Sequence, residues 1–331
     1  MAVYIIAEAG VNHNGDVKIA KKLCLAAKEA GANAIKFQTW ITEKIITKNV
    51  KQANYQAKNI GIVQSQFEML KELELTHDEF RTIKDYCDKI GIQFISTADE
   101  EDSLDFLIRL GIPFIKIGSG DVGNISYLRY VGSKKKPVIL STGMSTLMDV
   151  ELSINALKEG GTREITLLHC TTNYPCPYDN VNLNAMETLR NTFGLQVGYS
   201  DHTIGIEIPV AAVAKGAVVI EKHFTLDRNM KGPDHSASTE PKEFKYMVEA
   251  IRNVEKAFGT GIKSPTDSEK EISKVILKKI VAKRCIFAGS IIVPEDICVK
   301  RSERGLPASA WDDVIGSRAC KNFEIDEEIV I

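Results

Sequence analysis

The chain has 331 residues, 44% hydrophobic and 26% charged, and its 42 basic against 44 acidic side chains leave a net charge of −2. That balance excludes a polybasic surface for nucleic acid or anionic lipid, and the length allows one large domain with a small one beside it. No apolar stretch approaches the ~20 residues of a membrane span, and Glu8 interrupts the first apolar run, so neither an anchor nor a signal peptide is expected.

Eight short runs rich in β-branched residues follow in order, each closing on a polar or charged residue. They are 3–7 before Glu8, 34–38 ending at Gln38, 94–97 at Thr97, 114–119 at Ser119, 138–141 at Ser141, 165–168 before His169, 197–202 at His202 and 218–223 at His223. Continuous runs of this kind fit strands buried on both faces. Amphipathic stretches separate them. The segment 17–30 stops at Gly31, Thr76-x-x-Glu79 opens a capped helix through Cys87 ahead of Gly91, and 149–157 and 241–258 carry the same periodicity. This alternation predicts an α/β fold, a (β/α)8 TIM barrel whose site gathers at the C-terminal ends of its strands.

The connection 39–75 is unusually long. It carries a polar segment around Tyr55 and a predicted helix over 64–73, and such excursions form lids or substrate walls. After Phe258 the texture changes to a Gly-, Ser-, Thr- and Pro-rich linker, a predicted helix over 268–280, and short β-like pieces punctuated by Gly289, Pro294, Gly305 and Pro307. The expected boundaries are a catalytic barrel over 1–262, a linker with a helix over 263–280 and a β-rich module over 281–331. The seven cysteines are odd in number and lack paired short spacing, which reads as reduced thiols in a cytoplasmic protein.

Strand alternation sorts the polar residues. Ser200 and His202 share one face of the seventh run, and Glu221 and His223 share one face of the eighth. Two imidazoles on neighbouring strands can converge on one metal, and a site with only two histidines suits an open divalent ion better than a closed structural zinc. The competing reading is a pair of satisfied core histidines. Lys36 and Lys116 lie inside apolar runs, where a lysine needs a partner: either a structural mate such as Glu8 or Glu221, or a ligand anion. With Ser119, Gly120 and Ser141 they make a cradle for phosphate and carboxylate, and no nucleotide-type glycine loop accompanies it. Glu8 is a general base, a sugar-hydroxyl partner or a mate for Lys36. Asp234 lies in the loop after the eighth run, and Tyr174 in the loop after the sixth.

These residues bring a family with them. Ile6-Ala7-Glu8 with Asn12-His13-Asn14-Gly15, Lys36-Phe37-Gln38, Lys116-Ile117-Gly118-Ser119-Gly120, Ser141-Thr142-Gly143-Met144 and His169-Cys170-Thr171 stand in order. Tyr174-Pro175, Ser200-Asp201-His202-Thr203, Glu221-Lys222-His223-Phe224-Thr225 and Gly232-Pro233-Asp234 complete the series. The chain resembles the sialic acid synthases and their legionaminate- and pseudaminate-forming relatives. Its tail around Lys300-Arg301 resembles their antifreeze-like (SAF) domain.

The resemblance implies condensation of phosphoenolpyruvate with N-acetylmannosamine or a 2,4-diacetamido-2,4,6-trideoxymannose. The products are a nine-carbon 2-keto sugar acid and phosphate. It also implies a divalent ion (Mn²⁺ ahead of Mg²⁺ or Co²⁺) on His202 and His223. Lys36, Thr97, Lys116, Ser119, Ser141 and Ser200 are expected to hold phosphoenolpyruvate, Glu8, Tyr174 and Asp234 to position the sugar, and Gln38 and Asn173 to be further substrate contacts. Glu8, Lys116, Asp121 and Glu221 are the expected catalytic groups. A domain-swapped homodimer is expected to send Arg301 into its neighbour's site.

Three departures stand out. The family's Glu after Gly-Ser-Gly is Asp121 here, one methylene shorter; its Pro-Phe after Ser-Thr is Ala98-Asp99; and its Arg-Pro-Gly-x-Gly is Arg301-Ser302-Glu303-Arg304-Gly305, which offers Arg304 as a second arginine. Other readings are a pseudaminate or other phosphoenolpyruvate-condensing synthase, a Schiff-base aldolase using Lys36, Lys116 or Lys222, and a non-catalytic carbohydrate-related coat protein.

Overall fold

A computed structural model describes residues 2–52, 59 and 64–331; the segment around Tyr55 lies outside these. Eight parallel strands close into a barrel: β1 (Tyr4–Gly10), β2 (Ala34–Thr39), β3 (Gln93–Ala98), β4 (Ile115–Ile117), β5 (Val138–Ser141), β6 (Ile165–His169), β7 (Gln196–Asp201) and β8 (Val219–His223). The α/β TIM-barrel expectation holds. Outward side chains such as Ile5, Phe37, Phe94, Leu140, Tyr199 and Ile220 pack with the helices into one large core.

The helices form where capping and periodicity point to them, with ends shifted in either direction. Thr76 and Glu79 make a reciprocal capping box for the helix His77–Ile90, and Gly91 closes it at φ 73°. A second box, Ser65 with Glu68, starts the helix Gln66–Leu73 two residues later than expected. The stretch expected as 149–157 runs Leu147–Gly160, capped by Thr146 and Asp149.

The chain divides into two compact units, Met1–Phe258 and Gly259–Ile331. In the second unit the predicted helix ends early, at Ile276. Residues Lys278–Ala282 instead form strand β9, antiparallel to β10 (Ile297–Arg301), because Ile280 and Ala282 are needed in that unit's own core with Ile297, Phe323 and Ile329. All seven cysteines are free thiols.

Barrel register brings the polar strand ends together. Glu8 stands opposite Lys36 on one side and His223 on the other, Thr97 opposite Lys116, and Ser200 opposite Glu221.

Candidate active site

The C-terminal end of the barrel encloses a cavity of about 190 Å³. Its floor is two lysines among carboxylates. Lys36 Nζ lies 2.8 Å from Glu8 Oε2 and 3.8 Å from Glu221 Oε2, and donates to Thr97 Oγ1 at 3.1 Å. Lys116 Nζ donates to Ser141 Oγ at 2.7 Å and to the Ile117 carbonyl at 3.0 Å, with Glu221 Oε1 3.7 Å away. Ser200 Oγ donates to Glu221 Oε1 at 3.1 Å, and Gln38 Nε2 to Glu8 Oε1 at 3.2 Å. The Gly143 N–H donates to Ser119 Oγ at 2.9 Å.

Electrostatics set the protonation of this floor. Burial pushes the Glu8 carboxyl up to about 7, against the pull of Lys36 and with Glu221 adding repulsion. Burial works the same way on Glu221, but Lys116 and Lys36 outweigh it and hold that carboxyl below its ordinary value. Burial drives Lys116 down, whereas Glu221 and Glu8 overcome burial at Lys36 and raise it. The result is one firmly ionised pair and one carboxyl able to trade a proton near neutrality.

Two imidazoles stand on the rim. The His202 and His223 rings are 5.4 Å apart between centroids, and the Tyr174 ring packs 4.3 Å from the first and edge-on at 5.5 Å from the second. The Thr171 carbonyl accepts from His202 Nδ1 at 2.8 Å, which fixes the tautomer and leaves the Nε2 lone pair available. Among the described residues, buried His223 Nδ1 has no hydrogen-bond partner. Burial lowers both histidines, His223 furthest, so both imidazoles are neutral at pH 7, as metal ligation requires. The described residues contain no group of three or more His, Cys, Asp or Glu able to hold an ion. The two neighbouring rings and their free nitrogens are a donor set that an open ion would use, with its other positions left to water and substrate.

Glu8, Lys36, Gln38, Thr97, Lys116, Ser119, Ser141, Tyr174, Ser200, His202, Glu221 and His223 all line this one cavity. Four expected residues do not. Asn173 is exposed. The two-residue alternation continues past β6, so Cys170, Thr172 and Tyr174 face the cavity while Thr171 turns its hydroxyl to the Asn180 carbonyl and Asn173 turns out with it. Asp121 sits in the 3₁₀ turn Ser119–Asp121, where its carboxylate accepts from Asn124 Nδ2 at 3.1 Å, and it is not among the lining residues. Asp234 is half-buried at the start of a 3₁₀ turn outside the lining, its carboxyl pushed up to about 6 by burial. Arg301 belongs to the second unit, exposed at the end of β10.

Lys222, one of the candidate Schiff-base lysines, points to the helix side of β8, ion-paired with Asp201 and donating to the Thr203 carbonyl at 2.8 Å. Conversely, Asp99 lines the cavity. Continuing the inward series Ile95, Thr97 by one step is the signal that finds it. A larger cleft of about 670 Å³ opens beside the site, between the loops after β5 and β6, but its lining has no lysine, arginine or carboxylate.

The model of the NeuB family matches residues 23–263, and that of the SAF domain residues 279–330. The chain is 45% identical to the N,N'-diacetyllegionaminic acid synthase of Legionella pneumophila, over 98% of this chain and 92% of that protein. It is 46% identical to the Campylobacter jejuni protein of the same name, over 98% of each. The crystal structure of the N-acetylneuraminic acid (sialic acid) synthetase from Leptospira borgpetersenii superposes with a TM-score of 0.73 at 36% identity, covering 82% of this chain and 90% of that one. The chain belongs to the NeuB family and carries an SAF domain as its C-terminal unit.

Proposed function

We propose that this chain condenses phosphoenolpyruvate with a 2,4-diacetamido-2,4,6-trideoxymannose, releasing phosphate and N,N'-diacetyllegionaminate. The observation that carries the reading is the joining of a two-lysine anion floor to a pair of neutral imidazoles in one cavity. The acceptor sugar follows the names of the relatives at 45% and 46% identity; the name of the Leptospira structure favours N-acetylmannosamine as a second acceptor.

In this reading Lys36 and Lys116 hold the phosphate and carboxylate of phosphoenolpyruvate, with Ser119, Ser141 and Ser200 supplying hydrogen bonds around them. A cavity of about 190 Å³ is smaller than the ~300–1,000 Å³ of whole small-molecule sites, which fits a floor for phosphoenolpyruvate with the sugar standing above it. Glu8, Gln38 and Tyr174 meet that sugar. His202 and His223 would hold a divalent ion (Mn²⁺, Mg²⁺ or Co²⁺), which supplies polarisation of an aldehyde oxygen. The protein's own contribution is placement: C3 of the enol phosphate is held against the aldehyde carbon.

Among the described residues the lysines face three carboxylates, Glu8, Asp99 and Glu221, and these leave no surplus positive charge for a multiply anionic substrate. A second copy of the chain donating Arg301, or Arg304, supplies it, as the family resemblance implies. An Arg301→Ala subunit mixed with a Lys116→Ala subunit then regains activity that neither has alone.

The decisive assay is phosphate release and keto-acid formation from phosphoenolpyruvate with a panel of mannosamine derivatives, with and without chelator. Product with the diacetamido sugar supports the proposal; no keto acid from any member sinks it. Borohydride trapping of a covalent adduct on Lys36 or Lys116 would transfer the chemistry to the aldolase reading.

A further inference from the structure

One carboxylate in the cavity has no part in the chemistry so far. Asp99 follows β3, one inward step beyond Thr97, and lines the cavity together with Glu8 and Lys36. Its backbone is held on both sides. The Tyr127 hydroxyl donates to the Ala98 carbonyl at 2.6 Å, and the Asp99 N–H donates to the Thr39 carbonyl at 3.2 Å. Among the described residues no hydrogen bond or ion pair engages its carboxyl, so the carboxyl is presented to whatever the cavity holds.

Asp121 is the contrast. It lies where the family carries a Glu, but its shorter side chain accepts from Asn124 and is not among the residues that line the cavity. Its charge nevertheless acts on Asp99. Burial first, then Asp121, with Glu100 and Glu8 adding and Lys36 opposing, raise the Asp99 carboxyl to about 7. A group balanced near neutral pH can both take and return a proton within one turnover.

We infer that Asp99, and not Asp121, is the acid–base residue at the phosphoenolpyruvate end of the cavity. This rests on the phosphoenolpyruvate reading above. Bonding of C3 to the aldehyde carbon leaves C2 electron-poor. A water oxygen bonds to C2 as one water proton passes to the Asp99 carboxylate. The bond from C2 to the phosphate oxygen then breaks, its electron pair leaves with that oxygen, and the proton on Asp99 goes to the departing phosphate. The former aldehyde oxygen takes its proton from the Glu8 carboxyl as the carbon–carbon bond forms, and the hydroxyl left on C2 becomes the ketone as its proton passes to the Glu8 carboxylate.

The test compares Asp99→Asn with Asp121→Asn in the full chain, measuring kcat, KM, the pH profile and phosphoenolpyruvate binding by calorimetry. Asp99→Asn is expected to bind phosphoenolpyruvate as wild type does while kcat falls ~10²- to 10⁴-fold and the pH profile near neutrality loses the Asp99 ionisation, leaving that of Glu8. Added formate is expected to restore part of the rate of Asp99→Ala, whereas Asp121→Asn keeps kcat within a few-fold. Three results overturn the inference: an Asp99→Asn enzyme at wild-type rate with an unchanged profile, one that no longer binds phosphoenolpyruvate, or an Asp121→Asn loss as large. A wild-type enzyme that forms no keto acid with any sugar fails the function itself, and is told apart because the variants then have no rate to lose.

Discussion

The two ends of the barrel carry opposite chemistry on the same strands. At the N-terminal end, Ile6, Ala34, Ile95, Ile139, Leu168 and Val219 meet inside as an apolar plug. Two residues further along each strand, the same inward positions are Glu8, Lys36, Thr97, Ser141, Cys170 and Glu221, all lining the cavity. About 7 Å of strand separates a layer that gains free energy by leaving water from a layer that loses it. The mouth tolerates its buried charges because register pairs Lys36 with Glu8 and Glu221, not because the charges stabilise the fold. Stability belongs to the plug and activity to the ring above it.

This division can be broken by experiment. His223→Ala, on the rim, is expected to cut condensation on the order of 10³-fold while leaving the thermal midpoint unchanged, as read by product assay and calorimetric melting. A midpoint that falls with activity would place the rim among the stabilising layers. Replacing Glu8→Gln together with Lys36→Met swaps the floor ion pair for neutral groups of similar size. It should abolish turnover yet hold or raise the denaturant midpoint, since neutral replacement of a buried pair is often stabilising. A marked fall in that midpoint counts against the division.

The plug should answer the other way. Ile95→Ala removes a fully buried side chain and is expected to cost ~2–5 kcal/mol in urea unfolding, with the rate per folded molecule close to wild type in the cold. The smallest effect is expected at Asp234→Asn. Burial raises that carboxyl from the ordinary value near 3.8 to about 6, so between those values the folded chain holds a proton the unfolded chain has lost. Stability therefore falls as pH rises through that window, and the asparagine variant escapes the loss. It should melt with wild type at pH 3.5 and above it at pH 8; equal melting at both would show the carboxyl is solvated.

Much of the site is legible in the sequence. Lys36 and Lys116 stand out because a lysine within an apolar run must find a counter-charge, and both find one in the cavity. The histidines fall on inward faces because alternation along β7 and β8 is strict. Other positions are not legible. Asn173 and Asp234 lie on loops, where side-chain direction depends on local turns. Lys222 reads as no less available than Lys116 until one-residue alternation puts it against Asp201 on the outer face. Asp99 reads as a departure from a motif; the step of two from Ile95 and Thr97 gives its inward side, and barrel closure puts it in one cavity with Glu8.

By itself the sequence determined the barrel, the end at which its site lies and the residue types available there, since strand periodicity, capping boxes and polar strand ends are local properties. Tertiary structure alone decided which of those residues share one cavity. Register across eight strands sets Glu8 between Lys36 and His223, and the turn after β4 takes Asp121 out of the lining that Asp99 joins. Those relations depend on barrel closure, which joins β1 to β8 across more than two hundred residues of chain.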